Sequence, residues 1–232
     1  MDSGPVKREV VIPGDVIGDR KIKPGYGSYI DGENIYSSLL GIKSMKYGKV
    51  GVIRLSGRYM PFPEDLIIGI IIDRGPSHWL LDINAPYPAA MHPAETPWRI
   101  DFGDTGRFLD IGDVILANIL SVDEIKRIQV TMNDRISRKI TEGIIVDISP
   151  SKVARVIGKR GSMIAMLKDY THTRIQVGQN GRVWVDGDSR DMAMVARAVE
   201  IIEENAHLLG LTESVRNFLE TEYNKRVDAQ LR

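Results

Sequence analysis

Glycine sets the strictest limit on what this chain can become. Within residues 10–60 it stands at Gly14, Gly18, Gly25, Gly27, Gly32, Gly41, Gly48, Gly51 and Gly57. Each interior glycine costs a helix about 1 kcal/mol relative to alanine. No window between these positions supports several helical turns, and no helical periodicity runs through them. The pieces that remain, residues 9–12, 28–30, 34–37 and 49–55, are rich in Val, Ile and Tyr. Short β-branched runs closed by glycine turns predict a small all-β module.

A second β segment follows. Residues 66–73 and 78–83 read as buried strands joined by the turn Arg74-Gly75-Pro76-Ser77. Residues 84–97 hold four prolines, which argues against a central strand there. Further strands are expected at 99–102, 106–109, 114–122 and 127–132. The charged turn Asp123-Glu124-Ile125-Lys126 joins the last two. Five to six strands in about 70 residues, with one long irregular crossover, predict a small Greek-key barrel of the OB type.

After Asn133 the pattern changes to strand–helix–helix–strand–strand–helix. Residues 143–148 form the first strand, 151–157 and 162–170 two short helices. Residues 173–177 and 182–185 form two strands around Asn180-Gly181, a strong hairpin signal. Residues 189–206 carry Met192, Val195, Ala196, Val199 and Ile202 at helical spacing, and a last helix begins near Glu213. Glycines three apart occur at 48–51, 103–106, 158–161 and 178–181. Three of these read as turns. The fourth, Gly158-Lys159-Arg160-Gly161, lies between the two short helices. Its surroundings, residues 148–168, carry Lys152, Arg155, Lys159, Arg160 and Lys168 and no acidic residue. This resembles the GxxG loop of a KH domain, the alternative being a plain helix–turn–helix. Two glycines let the backbone approach a sugar-phosphate chain, the next helix offers its free N–H groups to phosphate, and the central side chains add charge. The helix after the last strand indicates the eukaryotic-type KH topology.

Composition narrows the function. Lys plus Arg and Asp plus Glu both number 31, so a globally basic nucleic-acid binder is excluded and any such site is a local patch. There is no cysteine, which removes disulfide scaffolds, thiolate zinc sites and cysteine nucleophiles. The histidines His78, His92, His172 and His207 show no metal-ligand spacing. No apolar stretch approaches the roughly 20 residues of a membrane span, and the N-terminus lacks the apolar core of a signal peptide. The sequence reads as a cytoplasmic protein that binds no membrane and needs no cofactor or metal. On the barrel, Arg74, His78, Arg107, Lys126 and Arg127 are candidate RNA ligands, while Trp79 reads as core. Asp101, Asp104, Asp110 and Asp113 form the one acidic string that a magnesium-dependent nuclease would use. Each lies within two residues of a glycine, where turn solvation is the ordinary role.

The order of modules, together with several short stretches, resembles one family. Val11-Ile12-Pro13-Gly14-Asp15 matches an N-terminal signature. Asp82-Ile83-Asn84-Ala85-Pro86-Tyr87 and Met91-His92-Pro93-Ala94-Glu95 match an S1-type barrel. Ile157-Gly158-Lys159-Arg160-Gly161 matches a KH loop, and Gly178-Gln179-Asn180-Gly181-Arg182-Val183-Trp184-Val185 a second-hairpin signature. In this order they resemble the RNA-binding cap subunits of the archaeal exosome, the ribosomal RNA processing protein 4 family, over essentially the whole chain. The resemblance implies a multidomain fold, mainly β and then α+β. Residues 1–62 would be an N-terminal β domain, 63–138 an S1 OB-fold and 139–232 a KH domain with C-terminal helices. It implies a non-catalytic role. Three copies would sit on a hexameric nuclease ring, with or without a second cap protein beside them, and guide single-stranded, adenine-rich RNA 3′ ends into the pore for 3′-to-5′ degradation. RNA would meet Lys152, Arg155, Gly158, Lys159, Arg160 and Gly161 of the loop and the barrel cations named above. The ring would meet Ile12, Pro13, Gly14 and Asp15. S1 barrels usually expose paired aromatics on adjacent strands. Here that strand offers only Trp79, so an electrostatic barrel contact is expected. The alternatives are an S1/KH transcription or translation factor and the magnesium-dependent nuclease.

Overall fold

The computed structural model describes residues 9–46 and 48–230. The chain divides into two compact units, Met1–Gly57 and Arg58–Arg232. Among the described residues the first holds seven short strands: β1 (Val10–Val11), β2 (Val16–Asp19), β3 (Lys23–Pro24), β4 (Ser28–Asp31), β5 (Asn34–Ser37), β6 (Gly41–Lys46) and β7 (Lys49–Arg54). They form one sheet in the order β1-β6-β7-β3 and another in the order β2-β5-β4. Strand alternation sends Val11, Ile17, Ile35, Val50 and Val52 into a shared core. The same alternation leaves Val10, Ile42 and Ile53 aligned on the outer face, since Val10 pairs with Ile42 and Ile42 with Ile53.

The second unit begins with a closed barrel. Its strands are β8 (Leu66–Arg74), β9 (Trp79–Asp82), β10 (Ala89–Met91), β11 (Val114–Val122) and β12 (Ile128–Thr131). The sheet order β12-β10-β9-β8-β11 is closed by pairing of β11 with β12, and β13 (Arg138–Ile140) adds to β11. Trp79 is fully buried inside, where its Nε1–H donates to the Leu109 carbonyl at 3.1 Å. The barrel's third strand lies where the prolines were expected to forbid one. β10 is three residues long and fits between Pro88 and Pro93, pairing on both sides without asking either proline for an N–H. Conversely, residues 99–102 and 106–109 are not strands. Gly103 turns back at φ +93°, Thr105–Arg107 makes one 3-10 turn, and the loop is tied to the β8–β9 turn. The ties are Gly103 N–H to the Pro76 carbonyl at 2.9 Å and the Thr105 hydroxyl to the Gly75 carbonyl at 2.8 Å.

The chain then forms β14 (Ile144–Asp147), α1 (Val153–Ile157), α2 (Ser162–Thr171), β15 (Arg174–Val177), β16 (Arg182–Asp186), α3 (Ser189–Glu204) and α4 (Leu211–Gln230). The antiparallel sheet runs β14-β16-β15. Asp188 caps α3 by accepting from Arg190 N–H at 3.0 Å. Val195, Ala198, Val199 and Ile202 of α3 pack with Leu211, Val215 and Leu219 of α4, so the last helix docks within the chain. Every residue of β16 is buried. Val183 and Val185 face the helices, while Trp184 faces Ile68 and Leu116 of the barrel. No helix among the described residues is long and apolar enough to cross a membrane.

Candidate nucleic-acid interface

The loop between α1 and α2 is built from unusual backbone angles. Gly158 ends α1 at φ 74°, ψ 173°, and its N–H still donates to Ala154 at 3.1 Å. A Cβ on Gly158 would meet the Met163 nitrogen at 2.6 Å. Arg160 sits at φ 55°, ψ 29°, and Gly161 at φ 80°, ψ 11°. A left-handed arginine costs on the order of 1–2 kcal/mol, and such outliers concentrate at functional sites. The turn leaves Lys159 and Arg160 exposed beside the first turn of α2, whose N-terminus no side chain caps. That terminus carries partial positive charge and amides that suit an anion.

Charge is free here and spent elsewhere. Among the described residues Lys152, Arg155, Lys159, Arg160 and Lys168 have no carboxylate partner. By contrast, Arg174 pairs with Asp186, and Arg182 with Asp82 and, at 3.7 Å, with Asp147. The barrel cations divide the same way. Arg74, His78 and Arg107 come together at one end, but Arg74 bonds Asp110 at 3.0 Å and Arg107 bonds Asp104 at 3.3 Å. Lys126 and Arg127 lie on the β11–β12 hairpin at the other end, exposed and unpaired among the described residues.

The acidic string serves the loops. Asp113 accepts from Asp110 N–H at 2.7 Å and pairs with Lys139 at 2.5 Å. Burial works to raise the Asp113 carboxyl, but the Lys139 hydrogen bond, the Asp110 amide and the Lys139 charge together hold it below the ordinary value. Among the described residues no group of three or more His, Asp or Glu is placed to hold a metal ion.

In the N-terminal unit, Ile12, Pro13, Gly14 and Asp15 form a tight turn. Ile12 N–H donates to Asp15 Oδ2 at 2.9 Å and Asp15 N–H to the Ile12 carbonyl at 3.1 Å. The turn presents Ile12, 57% exposed, between Val10 and Val16, which are equally open.

Two features escaped the sequence reading. Phe102 is an exposed aromatic on the barrel, in the loop misread as strand. The other is the turn at 178–181. Buried Asn180 donates from Nδ2 to the carbonyls of Ile68 at 2.8 Å and Ile83 at 3.0 Å, and accepts from Ile68 N–H at 3.3 Å. Asn84 Nδ2 donates to the Asn180 carbonyl at 2.8 Å, and Gln179 N–H to that of Leu66 at 2.8 Å. One turn thus fastens the KH sheet to the barrel wall. A buried asparagine in an Asn-Gly pair carries no sign of this in sequence, because the same pair is also the commonest hairpin turn.

Residues 143–191 match the KH domain family. The chain is 43% identical to the exosome complex component Rrp4 of Methanosarcina mazei, over 96% of this chain and 86% of that protein. It is 43% identical to the exosome complex component Rrp4 of Thermoplasma acidophilum, over 93% of this chain and 91% of that protein. A crystal structure assigned to an exosome complex RNA-binding protein matches with a TM-score of 0.67 at 34% identity, over 73% of this chain and 99% of that one.

Proposed function

The chain belongs to the Rrp4 family of exosome complex components, and from that membership we propose that it is a non-catalytic, cytoplasmic RNA-binding cap subunit of the exosome. Its working parts are residues 1–62, which dock on a hexameric nuclease ring through the Ile12–Asp15 turn, and the S1 and KH domains at 63–138 and 139–232. Three copies, with or without a second cap protein, recruit adenine-rich single strands and guide their 3′ ends into the pore for degradation by the ring. The observation that carries this reading is the unpaired Lys159–Arg160 pair, held between two glycines beside the uncapped start of α2. Such a loop clamps about four nucleotides of a single strand. Lys152 and Arg155 extend the positive surface along the same helical segment. On the barrel, Lys126 and Arg127 are the better phosphate ligands, because Arg74 and Arg107 already have carboxylates. Weak single-copy binding becomes useful when three copies share one pore.

Fluorescence anisotropy of a labelled oligoadenylate, titrated across salt with magnesium present, tests this. About three phosphate contacts on a single strand give a log–log slope near −2, so affinity falls roughly 16-fold between 50 and 200 mM salt. The RNA stays full length throughout. The double substitution Lys159→Asp, Arg160→Asp abolishes most binding while the circular dichroism spectrum is unchanged. Undiminished binding by that variant, or shortening of the RNA, overturns the reading.

A further inference from the structure

Behind the Gly158–Gly161 loop lies a cleft of about 310 Å³. One wall is the loop itself with Arg155, Lys159 and Ser162. The other is the turn from α3 to α4, which contributes Leu208 and Leu209. No residue of the β14-β16-β15 sheet lines it, so it opens on the α3–α4 side of the loop. Its size is at the lower limit, about 300 Å³, of small-ligand sites.

We propose that this cleft is a base pocket, holding one nucleobase of the strand whose phosphates the adjacent loop clamps. The inference rests on the phosphate-clamp reading and adds a second subsite to it. Three observations converge. Leu208 is half exposed and Leu209 wholly so, at the tip of a turn whose Gly210 is left-handed at φ +78°. Leu209 leaves its whole side chain open to solvent, while Leu208, Met163 and Leu211 continue the apolar surface inward. The rim is cationic, with Arg155 and Lys159 and no carboxylate among the lining residues, which complements an anionic strand. The hydroxyls of Ser162 and Thr212 are lining groups that make no hydrogen bond among the described residues. A hydroxyl both donates and accepts, so these meet the edge of any base. The pocket therefore distinguishes a base from its absence more than one base from another.

Anisotropy with the full chain tests the proposal. The probes are oligoadenylates in which the base at each successive position is replaced by an abasic sugar, leaving every phosphate in place. One abasic position should weaken binding about tenfold, the order expected when a base face loses contact with an apolar side chain. In the variant Leu208→Ser, Leu209→Ser that penalty disappears, while affinity for the strand abasic at that position is unchanged. Serine at two exposed positions leaves the core intact, which the circular dichroism melt verifies. A penalty that persists in the serine variant, or no position-specific penalty in the native chain, overturns the pocket. So does a persistent penalty with lost co-elution on the nuclease ring, which assigns the leucines to a protein contact. The loop reading fails separately, if the Lys159→Asp, Arg160→Asp variant still binds both intact and abasic strands.

Discussion

Gly158 and Gly161 share a motif but not a reason. Gly158 lies at φ 74°, ψ 173°, a region only glycine occupies comfortably, and its missing Cβ makes room for the Met163 nitrogen. Gly161 is an ordinary left-handed residue at φ 80°, ψ 11°, where a Cβ would meet nothing closer than Ile164 Cγ2 at 3.9 Å. Asparagine tolerates that conformation. Gly158→Ala should therefore cost about 1–3 kcal/mol in urea unfolding and at least tenfold in oligoadenylate affinity. Gly161→Asn should change stability little, so a loss of affinity there reports crowding of the strand and not backbone strain. Equal losses of stability from both substitutions would show that the loop is not read glycine by glycine. The form of this loop was legible from sequence because its signal is local: two glycines three apart between two short helical runs. Asn180 was not. Its role depends on backbone groups of Ile68 and Ile83, about a hundred positions away, and no local pattern encodes a distant carbonyl.

At the level of elements, the β15–β16 hairpin joins two folds through polar atoms. Asn180→Ala leaves the Ile68 amide and the Ile83 carbonyl without these bonds, while the Ile68 carbonyl keeps the Arg182 guanidinium at 3.2 Å. Unsatisfied buried groups cost about 1–3 kcal/mol each, and partial relaxation keeps the total near 3 kcal/mol. Urea unfolding of the full chain measures it; a loss under 0.5 kcal/mol would mean that the turn merely rests on the barrel. The Arg182–Asp82 pair beside it gives the junction a pH dependence. Burial works to raise the Asp82 carboxyl, but the Arg182 hydrogen bond, the Asn84 amide and the Arg182 charge outweigh it and hold it below the ordinary 3.8. A carboxyl lowered on folding contributes fully above its unfolded value and loses that contribution as pH falls through the folded one. Stability should stay level with respect to this pair down to about pH 4 and drop below it, and Asp82→Asn should flatten the drop. An acid limb identical in the variant would remove Asp82 from the account. The barrel shows where element reading from sequence breaks down. Ile100 and Leu109 carry apolar side chains onto the core from an irregular loop, which imitates strand alternation. β10 is so short that its flanking prolines hid it.

For the molecule as a whole, the division after Gly57 matters most. The clusters around Trp79, around Trp184 and under α3 are built wholly from residues beyond that point. A chain of residues 58–232 should therefore unfold in one cooperative transition and keep the salt dependence of RNA binding. It should fail to co-elute with the nuclease ring, having lost the Ile12–Asp15 turn. Retained co-elution would place ring docking elsewhere. The order of modules was readable because each has its own periodicity. The junction inside 58–232 was not, because β16 is buried on both faces and reads as an ordinary core strand. That junction bears on the length of RNA the protein can use. Partners on a slack tether meet a strand of any adequate length, and affinity then climbs gradually as nucleotides are added. Here the turn at 178–181 holds the KH loop at a set position relative to the barrel. A strand shorter than the contour between the two surfaces can occupy only one of them. A strand one or two nucleotides longer occupies both, so affinity plotted against RNA length should rise as a step.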